Sequence, residues 1–98
     1  MKSIHITPLA QEDIDSIWLY IYQNWSEKQA DKYLFQIDRC IKTIQSGYLN
    51  VKETPLHDVK RYKCEHHYIF FTETDSIIVI IAILGERMDL INRLKERL

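Results

Sequence analysis

Ser76-Ile77-Ile78-Val79-Ile80-Ile81-Ala82-Ile83-Leu84-Gly85 is the stretch on which the fold turns. Eight apolar residues stand in a row, six of them Ile or Val. A spanning helix needs about 20 apolar residues, so the run is too short for a membrane. A half-exposed strand would alternate polar and apolar residues, and this one does not. β-Branched side chains are stiff at the first torsion and suit a pleated surface. The spacing therefore predicts a central strand over Ile77–Leu84, covered on both faces. The chain itself can supply one cover. In only 98 residues the second cover is expected from a partner.

The rest of the chain supplies the surroundings of that strand. Before it, Tyr68-Ile69-Phe70-Phe71-Thr72 reads as an aromatic-rich strand, joined to it by the turn Glu73–Ser76. Before that, Val59–Cys64 alternates, with Val59, Arg61 and Lys63 on one side and Tyr62 and Cys64 on the better core side. His66 and His67 mark the bend between the two. Three consecutive strands make a meander. At the other end, Ser3–Ile6 is a short strand with Ile4 and Ile6 on its dry side and His5 on its wet side.

Two helices lie between. Thr7-Pro8 is a start signal, because Thr caps free N–H groups and Pro suits the first helical position. Ile14, Ile17, Trp18, Ile21 and Trp25 follow in steps of three and four, so the first helix should run from about Pro8 to Trp25. Asp13 and Asp15, two apart, point to different sides and read as a solvated first turn. Ser26 with Gln29 forms a capping box. Ala30, Tyr33, Leu34, Ile37, Ile41 and Ile44 continue a second helix that stops at Gly47. The link is short enough to force an antiparallel hairpin. Trp18, Tyr22, Trp25 and Tyr33 should line its seam or rim. Residues 48–59 read as a loop pinned by Leu49, Val51 and Leu56. After Gly85, Leu90, Ile91, Leu94 and Leu98 recur at helical spacing behind a candidate cap, Asp89. The predicted class is α+β in a single domain, residues 1–98. A small curved antiparallel sheet of about four strands carries the hairpin on one face, with a short C-terminal helix.

Composition narrows the function. Hydrophobic residues make up 46% and charged residues 28%, with a net charge of −1. That balance argues against broad attraction to nucleic acid. Cys40 and Cys64 form no CxxC pair and no metal-ligand pattern, and read as two free thiols in a reducing compartment. Met1–Ile6 has no apolar core of a signal peptide, which points to the cytoplasm. No residue pattern calls for a metal or cofactor.

Certain segments, taken together, are similar to the RelE/ParE superfamily of toxins from type II toxin–antitoxin pairs, closest to the ParE branch. They are Thr7-Pro8-Leu9-Ala10 with Asp13 and Ile17-Trp18, then Trp25-Ser26 with Gln29-Ala30-Asp31 and Tyr33-Leu34. Val59-Lys60-Arg61-Tyr62, His67-Tyr68-Ile69-Phe70-Phe71 and Ile83–Asp89 complete the set. The resemblance implies a growth-arresting toxin. It implies a cognate antitoxin, ParD-like or another DNA-binding protein, whose C-terminal segment wraps the toxin and through which alone it meets operator DNA. ParE-type toxins act on DNA gyrase, trapping it on cleaved DNA. Such an inhibitor needs a binding surface and no catalytic set. Arg61, Tyr62, Tyr68, Phe70, Arg87, Met88 and Asp89 are the candidates, since Arg and aromatics anchor interfaces.

The alternative is a RelE-like ribosome-dependent mRNA endonuclease. Cutting RNA through its own 2′-hydroxyl needs an acid, a base and cations on the phosphate. His66 and His67 with Arg61, Lys63 and Arg87 are that set. Against it stand the charge of −1 and a tail after Gly85 that holds no Tyr or His. A third reading is a module that binds the antitoxin and has lost toxicity.

Overall fold

The computed structural model describes residues 2–47 and 51–98. Five strands and three helices follow in the order β1 (Ser3–Ile6), α1 (Pro8–Asn24), α2 (Glu27–Ser46), β2 (Lys52–Glu53), β3 (Lys60–Cys64), β4 (His67–Glu73), β5 (Ile77–Gly85) and α3 (Leu90–Lys95). The helix boundaries are set by the expected caps. The Thr7 hydroxyl accepts from the Ala10 N–H at 3.2 Å, and Ser26 Oγ accepts from the Gln29 N–H at 3.1 Å. Gly47 closes α2 at φ 81°, a left-handed stop that costs a glycine little. Trp25 is the C-cap of α1.

The sheet order is β1-β5-β4-β3-β2, so the apolar run does form an inner strand. Two features differ from expectation. The sheet is mixed, because β1 pairs with β5 in parallel, Ser3 opposite Ile77 through Ile6 opposite Ile80. Alternation says which face a four-residue strand buries, and it does not say which way the strand runs. The fifth strand is β2, two residues inside the expected loop, antiparallel to β3. Val51 packs on the helix side and Leu56 on the other. The expectation for Leu49 lies outside the described residues.

From Ile80 to Leu84 both faces of β5 are dry, while Ile77 at its start is exposed and Val79 half-buried. Toward the hairpin, Ile78, Ile80 and Ile83 pack with Ile69, Phe71 and Cys64 against Ala10 and Ile14 of α1 and Ile37, Ile41 and Ile44 of α2. On the outer face, Ile81, Ala82 and Leu84 pack with Phe70, Val59 and Leu94. Strict alternation would send Ala82 to the hairpin side. A bulge between Phe70 and Phe71 sets both Ile81 and Ala82 against one residue of β4 and resets the phase. Leu94 of α3 is fully buried there, and Leu90 and Leu56 pack beside it. The second cover is therefore not left to a partner. A six-residue helix, marginal alone, is held by docking on the sheet.

The outer edge of β5 beyond Ile80 has no strand neighbour among the described residues, and its backbone groups are met by side chains. The Ile81 carbonyl accepts from Thr7 Oγ1 (3.3 Å) and Arg97 Nη1 (3.1 Å). The Ile83 N–H donates to Asp13 Oδ2 at 3.0 Å. Arg97 in turn grips Asp13 with two bonds, of 2.7 and 3.0 Å. Asp13 is thus half-buried and structural, a correction to the solvated reading. Asp15 does face solvent, where it meets Gln11.

Cys40 and Cys64 are also corrected. They are joined by a disulfide between α2 and β3, and neither is a free thiol. Cys40 lies on the sheet-facing stripe of α2 and Cys64 on the hairpin side of β3, a meeting that no spacing in the sequence declares. Among the described residues no helix is long and apolar enough to cross a membrane.

Candidate functional site

The candidate residues fall on both sides of the sheet. Arg61, Lys63, Tyr68 and Phe70 belong to the outer face. Phe70 is 1% exposed and is core, unavailable to any target. Tyr62 points the other way, half-buried under the hairpin. Arg61 sits over the Tyr68 ring, its guanidinium carbon 4.9 Å from the centroid, and Lys63 Nζ lies 6.0 Å from the same ring. Paired residues on antiparallel strands share a face, which explains the stack: Lys63 is opposite Tyr68, and Arg61 is one step away.

On the hairpin side, the β3–β4 turn brings His66 and His67 to the end of the helices. Glu65 enters that turn at φ 56°, a left-handed conformation unfavourable for a side chain by about 1 kcal/mol. The Tyr33 hydroxyl accepts from the His66 N–H at 3.2 Å and bonds His67 Nδ1. Burial pushes the Tyr33 phenol up from its ordinary value, and pushes the His67 imidazole down, helped by neighbouring His66. Tyr33 is therefore a neutral donor and His67 a neutral acceptor near pH 7, which fixes the remaining ring proton on Nε2.

A groove of about 520 Å³ opens beside this turn, lined by Tyr20, Trp25, His66, His67, Glu86, Arg87 and Met88 among others. Trp25 is 62% exposed and Tyr20 59%, with their rings edge to face at 5.9 Å. These aromatics form the rim, not the seam. Trp18, by contrast, stacks on Tyr22 and donates to Asp31 at 2.9 Å, tying α1 to α2. Arg87 and Met88 are exposed, and the Met88 sulfur folds back to accept from the Gly85 N–H. Asp89 heads α3 without a side-chain cap bond, its carboxylate held by the Asn92 amide.

Glu86 joins the two sides. It pairs with Lys63 at 3.1 Å and with His66 at 3.2 Å around the end of the sheet. Lys63 and His66 hold its carboxyl below the usual range, and Glu86 raises Lys63 in return. Tyr33 was legible only as an aromatic of the hairpin's seam or rim and Glu86 not as a partner of Lys63 or His66, since nothing in the sequence couples positions 33 and 67, or 63 and 86. Among the described residues, no three His, Cys, Asp or Glu side chains are placed to hold a metal.

The depressed His67 gives a prediction. In the window between its lowered folded value and the ordinary 6.5, the unfolded chain binds a proton that the folded chain does not. Its contribution is fully present above about pH 6.5 and is lost as pH falls toward the folded value. Urea unfolding followed across that window should show stability falling with pH in the parent. The slope there should shrink in His67→Gln. An unchanged slope would remove His67 as its source.

The comparisons with known proteins agree with this architecture. Residues 4–90 match the family described as the ParE toxin of type II toxin-antitoxin system, parDE. A Toxin ParE from Escherichia coli is 30% identical over 106 aligned positions, covering 100% of this chain and 98% of the relative. Among solved structures, the chromosomal ParDE system from P. aeruginosa superposes with a TM-score of 0.78 at 20% identity, covering 87% of this chain and 96% of that one. A YoeB dimer from Staphylococcus aureus follows at 0.57 and 22%, covering 89% and 98%. The two structural likenesses concern the fold alone. The sequence matches go further, and on them the chain belongs to the ParE toxin family of type II toxin–antitoxin systems, within the RelE/ParE superfamily.

Proposed function

We propose that this toxin, when free, arrests growth by acting on DNA gyrase, and that a ParD-like antitoxin holds it inactive. The observation that carries the choice of a protein target over RNA is the division of the candidate cations. Of Arg61, Lys63 and Arg87, Arg87 lines the groove of His66 and His67, while Arg61 and Lys63 line a pocket on the other face of the sheet. Lys63 is committed to Glu86, and Arg61 lies on the Tyr68 ring. Acid, base and phosphate-binding cations would have to act within hydrogen-bond reach of one scissile phosphate. Trp25, Tyr20, Arg87 and Met88 instead offer exposed aromatic, cationic and apolar groups side by side, the composition of interface anchors. Gyrase itself enters through family membership.

The surface offered to an antitoxin moves with the finding that α3 covers β5. Among the described residues, apolar ground is left open in the groove beside the helices, about 530 Å³, where Ile6, Leu34 and Phe35 are exposed over Ile14, Ile37 and Ile41. An amphipathic segment suits such a groove. The solved YoeB–YefM toxin–antitoxin complex from Staphylococcus aureus has a toxin of this fold, which supports the reading.

The test is a pulse-label after brief induction in a bacterium, following DNA and protein synthesis separately. DNA synthesis is expected to stop first, and purified gyrase mixed with the toxin should accumulate cleaved plasmid. Early loss of protein synthesis with mRNA cut inside translated codons would replace gyrase with the ribosome. Growth unaffected by induction would leave a non-toxic antitoxin-binding module.

A further inference from the structure

A small pocket on the outer face of the sheet, about 80 Å³, is lined by Lys52, Arg61, Lys63 and Tyr68. The register builds it. Lys52 is opposite Arg61, and Lys63 is opposite Tyr68, so the four side chains share one face. Three cations meet there, and one is answered: Lys63 pairs with Glu86. Among the described residues neither Lys52 nor Arg61 has an ion pair. The Arg61 Nε is shut off from solvent with no hydrogen-bond partner, and the guanidinium plane is backed by the Tyr68 ring. A guanidinium immobilised this way, with its charge unanswered, is a pre-organised fork for a planar oxyanion.

We propose that this pocket is a carboxylate subsite for an acidic, extended peptide segment of a partner chain. Its volume is that of two or three water molecules at about 30 Å³ each, enough for one carboxylate head. A nucleic acid brings a row of phosphates and needs a row of cations, whereas here two are free, Glu86 stands beside the third, and the net charge is −1. Among the described residues β2 pairs with Lys60 and Arg61, so the pocket lies at the end of the β2–β3 pairing. An extended segment laid along that face would set alternate side chains over Arg61. The inference rests on the antitoxin reading for the identity of the partner, and on the pocket alone for its chemistry.

The experiment titrates the full chain with a blocked peptide of alternating Glu and Leu, its Gln-for-Glu counterpart, and a short oligouridylate, while NMR follows the Arg61 Nε–H and the Tyr68 ring. The Glu peptide should shift both signals saturably, less so at high salt. Arg61→Gln should weaken it about tenfold or more, and the exposed Lys52→Gln, which leaves the stack intact, by a smaller factor. Equal shifts from the Gln peptide, or none from either peptide, would overturn the carboxylate subsite. Shifts from the oligouridylate at lower concentration would make it a phosphate site and overturn the peptide. Failure here with growth arrest still relieved by an antitoxin would remove the pocket and keep the pair.

Discussion

Asp13→Ala is expected to lower stability by about 2–4 kcal/mol, while Asp15→Ala, two positions on, stays within about 0.5 kcal/mol. The two side chains look alike in the sequence and differ in what they hold. Asp15 faces water. Asp13 accepts the Ile83 N–H on the unpaired edge of β5 and takes both arms of Arg97, whose side chain is 17% exposed against 15% for Asp13. Removing the carboxylate leaves one buried N–H without an acceptor and one guanidinium held only by the Ile81 carbonyl. It also frees the end of the chain just past α3, the helix that covers Ile81, Ala82 and Leu84. Asp13→Asn, which keeps an acceptor for Ile83, should cost less than Asp13→Ala. A cycle with Arg97→Ala should return a coupling of about 1–3 kcal/mol. Thermal unfolding reads all of these, since 1 kcal/mol moves the midpoint by about 4–8 °C in a domain of this size. If Asp13→Ala unfolds with Asp15→Ala, the clamp contributes nothing and α3 is held by the packing of Leu94 and Leu90.

Reduction of the Cys40–Cys64 bond should cost a comparable amount, about 3 kcal/mol. The closed segment has a sequence separation of 24, and a loop of that order removes this much freedom from the unfolded chain. The bond ties α2 to β3 at the residue before the strained Glu65 turn, so its loss should also loosen the His66–His67 corner. The oxidised chain should show no titratable thiols on denaturation and should melt roughly 12–24 °C above the same chain in excess dithiol. Denatured protein that titrates two thiols without prior reduction would show that the bond does not form. Equal midpoints with and without dithiol would show that it does not stabilise.

The sequence by itself determined the elements other than β2, and their class. Thr7-Pro8, Ser26 with Gln29, and Gly47 are local signals, each answered within a few residues by its own backbone, and the helices begin and end on them. The eight-residue apolar run had one physical outcome, an inner strand covered on both faces over most of its length, because no exposed element tolerates Ile and Val on every side. The alternation of Arg61 and Lys63 against Tyr62 and Cys64 also held, since a strand's period is a property of its own backbone. The resemblance to the RelE/ParE superfamily rested on particular residue segments, and the sequence matches established the ParE family.

The tertiary structure alone decided what joins distant residues. The parallel direction of β1, the bulge that turns Ala82 outward, the Asp13–Arg97 clamp and the Cys40–Cys64 bond each depend on which distant positions meet, and a single sequence carries no signal for such a pairing. It also decided who covers β5: α3 lies on the outer face because Leu94 and Arg97 both find partners there. For the same reason the candidate site divided. Phe70 went to the core and Tyr62 to the helix side, and Glu86 emerged as the link between Lys63 and His66. Local periodicity sorts side chains to faces; only the closure of the sheet between its helices decides which faces meet.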